Sequence, residues 1–176
     1  LIHTGRTMSK LDKKFTAIIV MGVSGCGKST VGRLLADRLG WPFIESDDYH
    51  SAEDIQKMAN GIPLTDEDRW PWLNRLHDLM VGFSTQGQPV VLACSALKQS
   101  YRNLLAQDLN NVLFVYLKGD YELIFERMSN RRHYMQAGML RSQFDALEEP
   151  LNALVMEINE PPMKIVENIL HHLSTR

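Results

Sequence analysis

The chain has 176 residues and a mass of 20.1 kDa, a length that suits one folded domain. Hydrophobic residues make up 44% and charged residues 23%, which excludes a disordered or collagen-like chain. The net charge is -2, so the chain lacks the overall basic charge typical of nucleic-acid-binding proteins. No apolar run reaches the roughly 20 residues of a membrane span. Two cysteines, Cys26 and Cys94, exclude a disulfide framework, so we expect a reducing, intracellular setting.

Short apolar runs alternate with amphipathic stretches, a pattern typical of α/β proteins. We expect residues 1–14 to be a tail and residues 15–176 to form one domain. Strands are predicted at 15–21, 42–44, 89–94, 112–117 and 154–158, and helices at 28–39, 51–60, 65–83, 97–107, 121–130 and 163–173. The polar, basic and aperiodic stretch 131–141 is predicted to be a flap. The sequence therefore predicts three layers, a five-stranded parallel sheet with helices on both faces.

A phosphate-binding loop is the strongest signal in the sequence. Residues 22–29 read GVSGCGKS, which matches G-x-x-x-x-G-K-[ST] between a predicted buried strand and a helix start. Glycines let the backbone turn its N–H groups toward phosphate oxygens, and the helix N-terminus adds partial positive charge. The residues expected to cradle a nucleoside triphosphate are Gly22, Val23, Ser24, Gly25, Cys26, Gly27, Lys28, Ser29 and Thr30.

Two residues of this loop are expected to do more than wrap the phosphates. Lys28 is predicted to bridge the β- and γ-phosphates, and the Ser29 hydroxyl to bind Mg²⁺ with Glu45 assisting through water. Cys26 adjoins a helix N-terminus and Lys28, an environment that favours its thiolate, so we also expect a reactive thiol.

The position of the acidic residues separates the classes of phosphate-loop protein. Motor and switch NTPases usually end a further strand in an aspartate, whereas the third strand here ends in Cys94 and Ser95. The acids follow the second strand instead, where Asp47 is expected to orient an acceptor hydroxyl and accept its proton. This layout resembles small-molecule kinases such as shikimate and nucleoside monophosphate kinases, and the fold of that phosphate-loop class is the expected one.

Two arginines follow the fourth strand near the predicted flap. Arg127 and Arg131 are four residues apart on a predicted helix and therefore share a face. We expect one to stack on adenine and the other, Arg131, to reach the γ-phosphate. A solvated basic helix end is the alternative for both.

Other cations indicate an anionic acceptor in a protein of negative net charge. Arg69, Lys98 and Arg102 are predicted to bind the acceptor, with surface solvation as the alternative. His50 and His133 are candidates for hydrogen bonds to acceptor hydroxyls, although a lone histidine is more often a surface or core residue.

Several longer stretches carry a resemblance to gluconokinases of the phosphate-loop type. They are MGVSGCGKS at 21–29, DDYH at 47–50, KMANGIPLTDEDR at 57–69, PWL at 71–73, CSALKQSYR at 94–102, YLKGD at 116–120, SQF at 142–144 and LEEP at 147–150. The resemblance implies transfer of the ATP γ-phosphate to the 6-hydroxyl of D-gluconate, with Mg²⁺. It further implies a cytoplasmic homodimer that acts in sugar-acid catabolism.

Reasoning from the residues alone leaves two alternatives open. Composition, spacing and loop chemistry do not separate a gluconate kinase from a shikimate or nucleoside monophosphate kinase; only the resemblance favours gluconate. The second alternative is an ATP-responsive binding protein without catalytic turnover.

Overall fold

A computed structural model of the chain describes residues 9–130 and 137–176. The five strands are β1 (Ala17–Met21), β2 (Phe43–Glu45), β3 (Val90–Ala93), β4 (Val112–Lys118) and β5 (Leu154–Glu157). They form one sheet in the order β2-β3-β1-β4-β5, and every neighbouring pair is parallel. The predicted α/β fold with a five-stranded parallel sheet is therefore confirmed.

Eight helices are described along the chain. They are α1 (Lys10–Lys14), α2 (Lys28–Leu39), α3 (Ala52–Ala59), α4 (Asp66–Thr85), α5 (Gln99–Ala106), α6 (Tyr121–Ser129), α7 (Ala137–Ala146) and α8 (Pro162–Ser174), with a 3-10 turn at Ser46–Tyr49. Within the described residues, none of these helices has the length and apolar content to span a membrane. The order of strands and helices follows the alternation that the sequence predicted.

The central strand β1 fixes the core. All five of its residues are buried, as a strand covered on both faces must be. Its neighbours β3 and β4 run parallel to it, so the carboxyl ends of the central strands lie at one edge of the sheet. Ligands of open parallel sheets bind beyond that edge. The segments that follow β1, β2 and β3 are therefore brought together where a site is expected.

Part of the predicted tail is folded. Helix α1 begins at a capping box in which Ser9 and Asp12 satisfy each other's backbone N–H groups. Leu11 packs on the core, and Trp41 Nε1 donates to Asp12 Oδ1 at 2.6 Å. The expectation of a tail was therefore wrong for residues 10–14, because their cap and apolar contact fix them to the domain.

The predicted flap is partly helical. Residues 131–136 lie outside the described part of the chain, whereas 137–141 form the first half of α7. Met139 and Leu140 are buried there, and their burial accounts for a helix in a stretch whose sequence looked polar and aperiodic. This half of the predicted flap is therefore helical, and its action as a flap stays a prediction.

Candidate active site

The loop after β1 has the backbone conformation that phosphate binding needs. Gly22 and Gly27 have φ values of 146° and 101°, in the region that favours glycine. A Cβ on Gly22 would lie 2.7 Å from Cys26 Sγ and 2.9 Å from the Leu117 carbonyl oxygen. Gly27 is the N-cap of α2, so the loop turns directly into the positive end of the helix dipole.

Lys28 and Ser29 open α2 from this loop. Lys28 Nζ donates to the Val23 carbonyl at 3.0 Å, which folds the side chain back over the loop. The Ser29 hydroxyl donates to a carboxylate oxygen of Glu45 at the end of β2. The two residues were predicted to meet through Mg²⁺ and water, and they also share a direct hydrogen bond.

The pair of Ser29 and Glu45 fits a magnesium ion shared with a nucleotide. In the described residues, no group of three or more His, Cys, Asp or Glu side chains is arranged to hold a metal. Mg²⁺ is nevertheless commonly bound by one or two protein oxygens together with substrate phosphates and water. A hydroxyl and a carboxylate at the loop match that oxygen chemistry.

A cavity of about 460 Å³ opens beside the loop and joins the predicted phosphate and acceptor sites. Its wall comes from the loop, the turn after β2, and helices α3, α4 and α7. It is lined by Ser24, Lys28, Asp47, His50, Ile55, Met58, Ala59, Pro63, Leu64, Arg69, Trp72, Ser95, Met139, Ser142 and Gln143. Lys28, which is predicted to bind the triphosphate, therefore faces the same cavity as the candidate base Asp47.

His50 positions the candidate base Asp47. The imidazole is stacked on Trp72 with ring centroids 4.2 Å apart, and its side chain is only 6% exposed. His50 Nε2 lies 3.7 Å from Asp47 Oδ1, while the Asp47 side chain is 81% exposed. Hydrogen bonding with His50, and secondarily the charge of Lys28, lower the pKa of Asp47 although partial burial opposes them. The carboxylate is therefore ionised at neutral pH, as a proton acceptor must be.

His50 also offers an unused polar atom. Its Nδ1 is buried and finds no hydrogen-bond partner in the described part of the protein. Because buried polar atoms usually have partners, and because His50 lines the cavity, a ligand hydroxyl is a fitting partner.

Arg69 brings a positive charge to the cavity. Its Nη1 donates to the Tyr101 hydroxyl at 3.0 Å, and that hydroxyl donates in turn to Asp66. Lys98 Nζ also donates to Asp66, at 3.0 Å. Lys98 is therefore engaged with Asp66 and is absent from the cavity wall, whereas Arg69 is part of it.

Arg102 has a structural role, which contradicts the prediction that it binds substrate. Arg102 is only 3% exposed to solvent. Nη1 donates to the carbonyls of Ala96 and Leu97 at 2.6 and 3.1 Å, and Nη2 to the Glu148 carbonyl at 2.8 Å. Because these backbone acceptors occupy the guanidinium, it holds two loops together and is not available for an acceptor.

A second cavity of about 370 Å³ lies against the loop residues that the first does not use. It is lined by Gly25, Cys26, Gly27, Thr30, Val31, Arg127, Ile158, Asn159, Glu160, Pro161, Pro162 and Ile165. Arg127 of α6 thus lies beside the phosphate loop, and its contact with a nucleotide stays a prediction. Arg131 and His133 lie outside the described residues.

Cys26 does not have the environment expected of a reactive thiol. Burial raises the pKa of its thiol and outweighs the opposing effect of Lys28. Only 3% of the Cys26 residue is exposed to solvent. The expectation of a favoured thiolate was therefore wrong, because desolvation dominates the charge of the neighbouring lysine.

Sequence reasoning missed residues that fix the positions of the phosphate loop and of Arg69. Gln143 of α7 contacts the loop residue Ser24, whose backbone N–H donates to Gln143 Oε1 at 2.7 Å. Tyr101 and Asp66 hold Arg69, as described above. Gln143 and Tyr101 fall within the stretches that carry the family resemblance, which was the available signal. Which residues they contact could not be predicted, because spacing reports neighbours along the chain and not across the fold.

The comparisons with known proteins agree with this geometry. The family model described as shikimate kinase matches residues 24–173. The loop, the parallel sheet and this match define an ATP-dependent kinase of the phosphate-loop class.

Individual relatives identify the family within this class of kinases. A probable gluconokinase of Mus musculus is 48% identical over 151 residues, covering 76% of this chain and 82% of that protein. The thermoresistant gluconokinase of Escherichia coli (strain K12) is 38% identical over 168 residues, covering 93% and 96%. The crystal structure of a gluconokinase from Sinorhizobium meliloti 1021 superposes with a TM-score of 0.83 at 41% identity, covering 90% and 91%. The chain belongs to the gluconokinase family.

Proposed function

We propose that this protein transfers the γ-phosphoryl group of ATP to the 6-hydroxyl of D-gluconate, giving 6-phosphogluconate and ADP. The observation that carries the proposal is that Lys28 and Asp47 face one cavity beside the phosphate loop. A phosphate-binding lysine and an ionised carboxylate on one space are what acceptor activation beside a triphosphate requires. Gluconokinase relatives supply the acceptor's identity.

On the nucleotide side, the loop from Gly22 to Thr30 wraps the phosphates with backbone N–H groups. The N–H groups of Gly22, Ser24 and Cys26 already donate within the protein, so the remaining N–H groups of the loop make these contacts. Lys28 neutralises charge on the β- and γ-phosphates, which requires its amine to leave the Val23 carbonyl. Arg127 lines the second cavity, which has room for the nucleoside. Arg131 stays a predicted contact of the γ-phosphate.

On the acceptor side, Asp47 takes the proton of the attacking hydroxyl. The hydroxyl oxygen forms a bond to the γ-phosphorus, the bond from that phosphorus to the β–γ bridging oxygen breaks, and ADP leaves with its electron pair. Arg69 binds the acceptor's carboxylate, and His50 Nδ1 bonds one of its hydroxyls. Lys98 contributes indirectly through Asp66, and His133 stays a predicted acceptor contact.

Magnesium is part of this proposal. Ser29 and Glu45 would hold the ion, which supplies positive charge to the β- and γ-phosphate oxygens when bound. The direct hydrogen bond between the two side chains supports this assignment because it places both oxygens together. Ser29→Ala should raise the Mg²⁺ concentration needed for half-maximal activity, and unchanged metal dependence would contradict the assignment.

The acceptor assignment is tested with a panel at fixed ATP and Mg²⁺. ADP release is measured with D-gluconate, shikimate and AMP, each against a reaction without acceptor. We expect release that depends on gluconate alone. Release that depends on shikimate or AMP but not on gluconate would overturn the acceptor, and nucleotide binding without acceptor-dependent release would indicate a binding protein.

The family resemblance supports two further parts of the proposal, a homodimer and a cytoplasmic location. Light scattering of the purified chain tests the first, with a mass of twice the monomer expected. Cell fractionation tests the second, with the protein expected in the cytoplasmic fraction.

A further inference from the structure

The Gln143 side chain uses its amide for two hydrogen bonds with Ser24, the third residue of the phosphate loop. Oε1 accepts the Ser24 backbone N–H at 2.7 Å, and Nε2 donates to Ser24 Oγ at 2.8 Å. The two residues are 119 positions apart in the chain, so the pair is a tertiary contact. None of the roles assigned above uses Gln143.

The segment just after α7 is held as well. The Glu148 N–H donates to the Leu97 carbonyl at 2.8 Å, and Arg102 Nη2 donates to the Glu148 carbonyl at 2.8 Å. Leu97 and Arg102 belong to the segment that follows β3. Helix α7 is thereby tied to the phosphate loop through Gln143 and to the segment after β3 through Glu148.

Helix α7 also forms one wall of the cavity. Met139 and Ser142 line the same space as Lys28 and Asp47. Any shift of α7 against the loop would therefore move this wall relative to the phosphate site. Phosphoryl transfer is sensitive to such shifts, since a reactive geometry needs the reacting atoms about 3–3.5 Å apart.

We propose that Gln143 is a positioning residue that fixes α7 relative to the phosphate loop, so that the acceptor hydroxyl lies at reactive distance from the γ-phosphate. The inference rests on the proposed function, because it assumes transfer across this cavity. A glutamine suits the role because one primary amide accepts from a backbone N–H and donates to a hydroxyl at the same time. Its neutral amide also adds no negative charge beside the triphosphate.

The test replaces Gln143 with methionine, which has similar volume and length but makes neither hydrogen bond. Steady-state kinetics are measured for ATP and for the acceptor, together with ATP hydrolysis in the absence of acceptor. We expect kcat/KM for the acceptor to fall about 10- to 100-fold, since small misplacement is costly. The KM for ATP should change less than about twofold, and hydrolysis per transfer event should rise.

Two companions separate this role from a general loss of structure. Gln107→Met changes a glutamine at an exposed position and should keep wild-type kinetics. Gln143→Glu retains an acceptor for the Ser24 N–H and can accept from its hydroxyl, so it should recover much of the acceptor kcat/KM. Its added negative charge should instead raise the KM for ATP. This split between substrates would not arise from a merely structural residue.

The failure of this inference differs from failure of the proposed function. Turnover of the unaltered protein tests the function, and the variants are compared on whichever acceptor of the panel it phosphorylates. Wild-type acceptor kcat/KM in a folded Gln143→Met protein would overturn the positioning role. Equal losses for ATP and acceptor, without recovery in Gln143→Glu, would also overturn it. If Gln143→Met does not fold, the Gln143→Glu result decides alone: a wild-type KM for ATP, or a lost acceptor kcat/KM, contradicts the role.

Discussion

The Tyr101 hydroxyl lies 3.0 Å from Arg69 Nη1 and connects that guanidinium to the carboxylate of Asp66. Tyr101 is almost fully buried, whereas Arg69 reaches the wall of the acceptor cavity. The phenol has one proton, which it gives to Asp66, so its oxygen is free to accept from Arg69. The buried ring thus fixes the direction of a cation that the proposed acceptor carboxylate would meet.

Tyr101→Phe removes only this oxygen and should weaken the hold on Arg69. We expect the KM for gluconate to rise about 5- to 10-fold, the effect of losing roughly 1–1.5 kcal/mol of hydrogen bonding. The KM for ATP should stay the same. Activity toward sorbitol, which lacks the carboxylate, should be the same in the variant as in the wild type. Steady-state kinetics with both acceptors measure the difference.

Tyr116→Phe is the matched control for that variant. Tyr116 is also buried, and its hydroxyl donates to a carboxylate, that of Glu149, but it is absent from the cavity wall. The Tyr116→Phe variant should have the same KM for gluconate as the wild type. An equal rise in KM in both variants would mean that Tyr101 acts through general packing and not through Arg69.

The pKa of Asp47 should depend on His50. Hydrogen bonding with His50 is the main cause that lowers the pKa of this carboxyl below its usual 3.8. His50→Phe keeps a ring against Trp72 but removes the imidazole nitrogens, so the pKa of Asp47 should rise. Because a carboxylate is the active form of a base, the acid limb of kcat/KM should move to higher pH. An NMR titration of the Asp47 carboxyl measures the shift, and an unchanged pKa would contradict the arrangement.

Arg102 should matter for stability and not for affinity. Its removal leaves the Ala96 carbonyl without this donor and leaves the Leu97 carbonyl with only the Glu148 N–H. An unsatisfied buried group typically costs about 1–3 kcal/mol. Arg102→Met should therefore lower the free energy of unfolding by about 2 kcal/mol or more, with the KM for gluconate largely kept. Denaturant unfolding measures this loss. Arg38→Met, at an exposed position of α2, is the control and should be nearly neutral.

The N-terminus of α4 gives the protein an acid-sensitive contact. Hydrogen bonds from Lys57 and from the Thr65 backbone lower the pKa of Asp68 to about 2. Because the folded pKa lies below the ordinary 3.8, the contact stabilises the fold above that value and is lost as pH falls through about 2. Asp68→Asn should remove this part of the pH dependence. Between neutral pH and pH 3, the free energy of unfolding should fall less in the variant than in the wild type. An identical dependence of this free energy on pH in both proteins would contradict the role of Asp68.

Local chemistry explains what could be predicted from the sequence. The strand, phosphate loop and helix from β1 to α2 each have a signature within a few residues, and all three were predicted where they occur. The capping box of Ser9 and Asp12 is also local, although residues 1–14 were expected to be a tail. There the apolar contact of Leu11, made across the fold, decided the structure.

Contacts across the fold explain what could not be predicted. The pair of Ser24 and Gln143 is separated by 119 residues, and no periodicity marks either one. Lys98 and Arg102 are four residues apart, a spacing that would place them on one face of a helix. Lys98 instead has extended backbone angles as the N-cap of α5, so the spacing does not align them. Helical spacing also does not distinguish a cation that faces a ligand from one that faces buried carbonyls.

The most direct test of the account replaces the candidate base. Asp47→Asn is compared with Asp48→Asn, which changes the neighbouring exposed aspartate. Gluconate phosphorylation and ATP affinity are measured for both. The account predicts that kcat falls about 10²- to 10⁴-fold in Asp47→Asn, as expected for loss of a general base, with ATP affinity kept and Asp48→Asn close to wild type. Wild-type kcat in Asp47→Asn would contradict the central claim that this carboxylate activates the acceptor beside the phosphate loop.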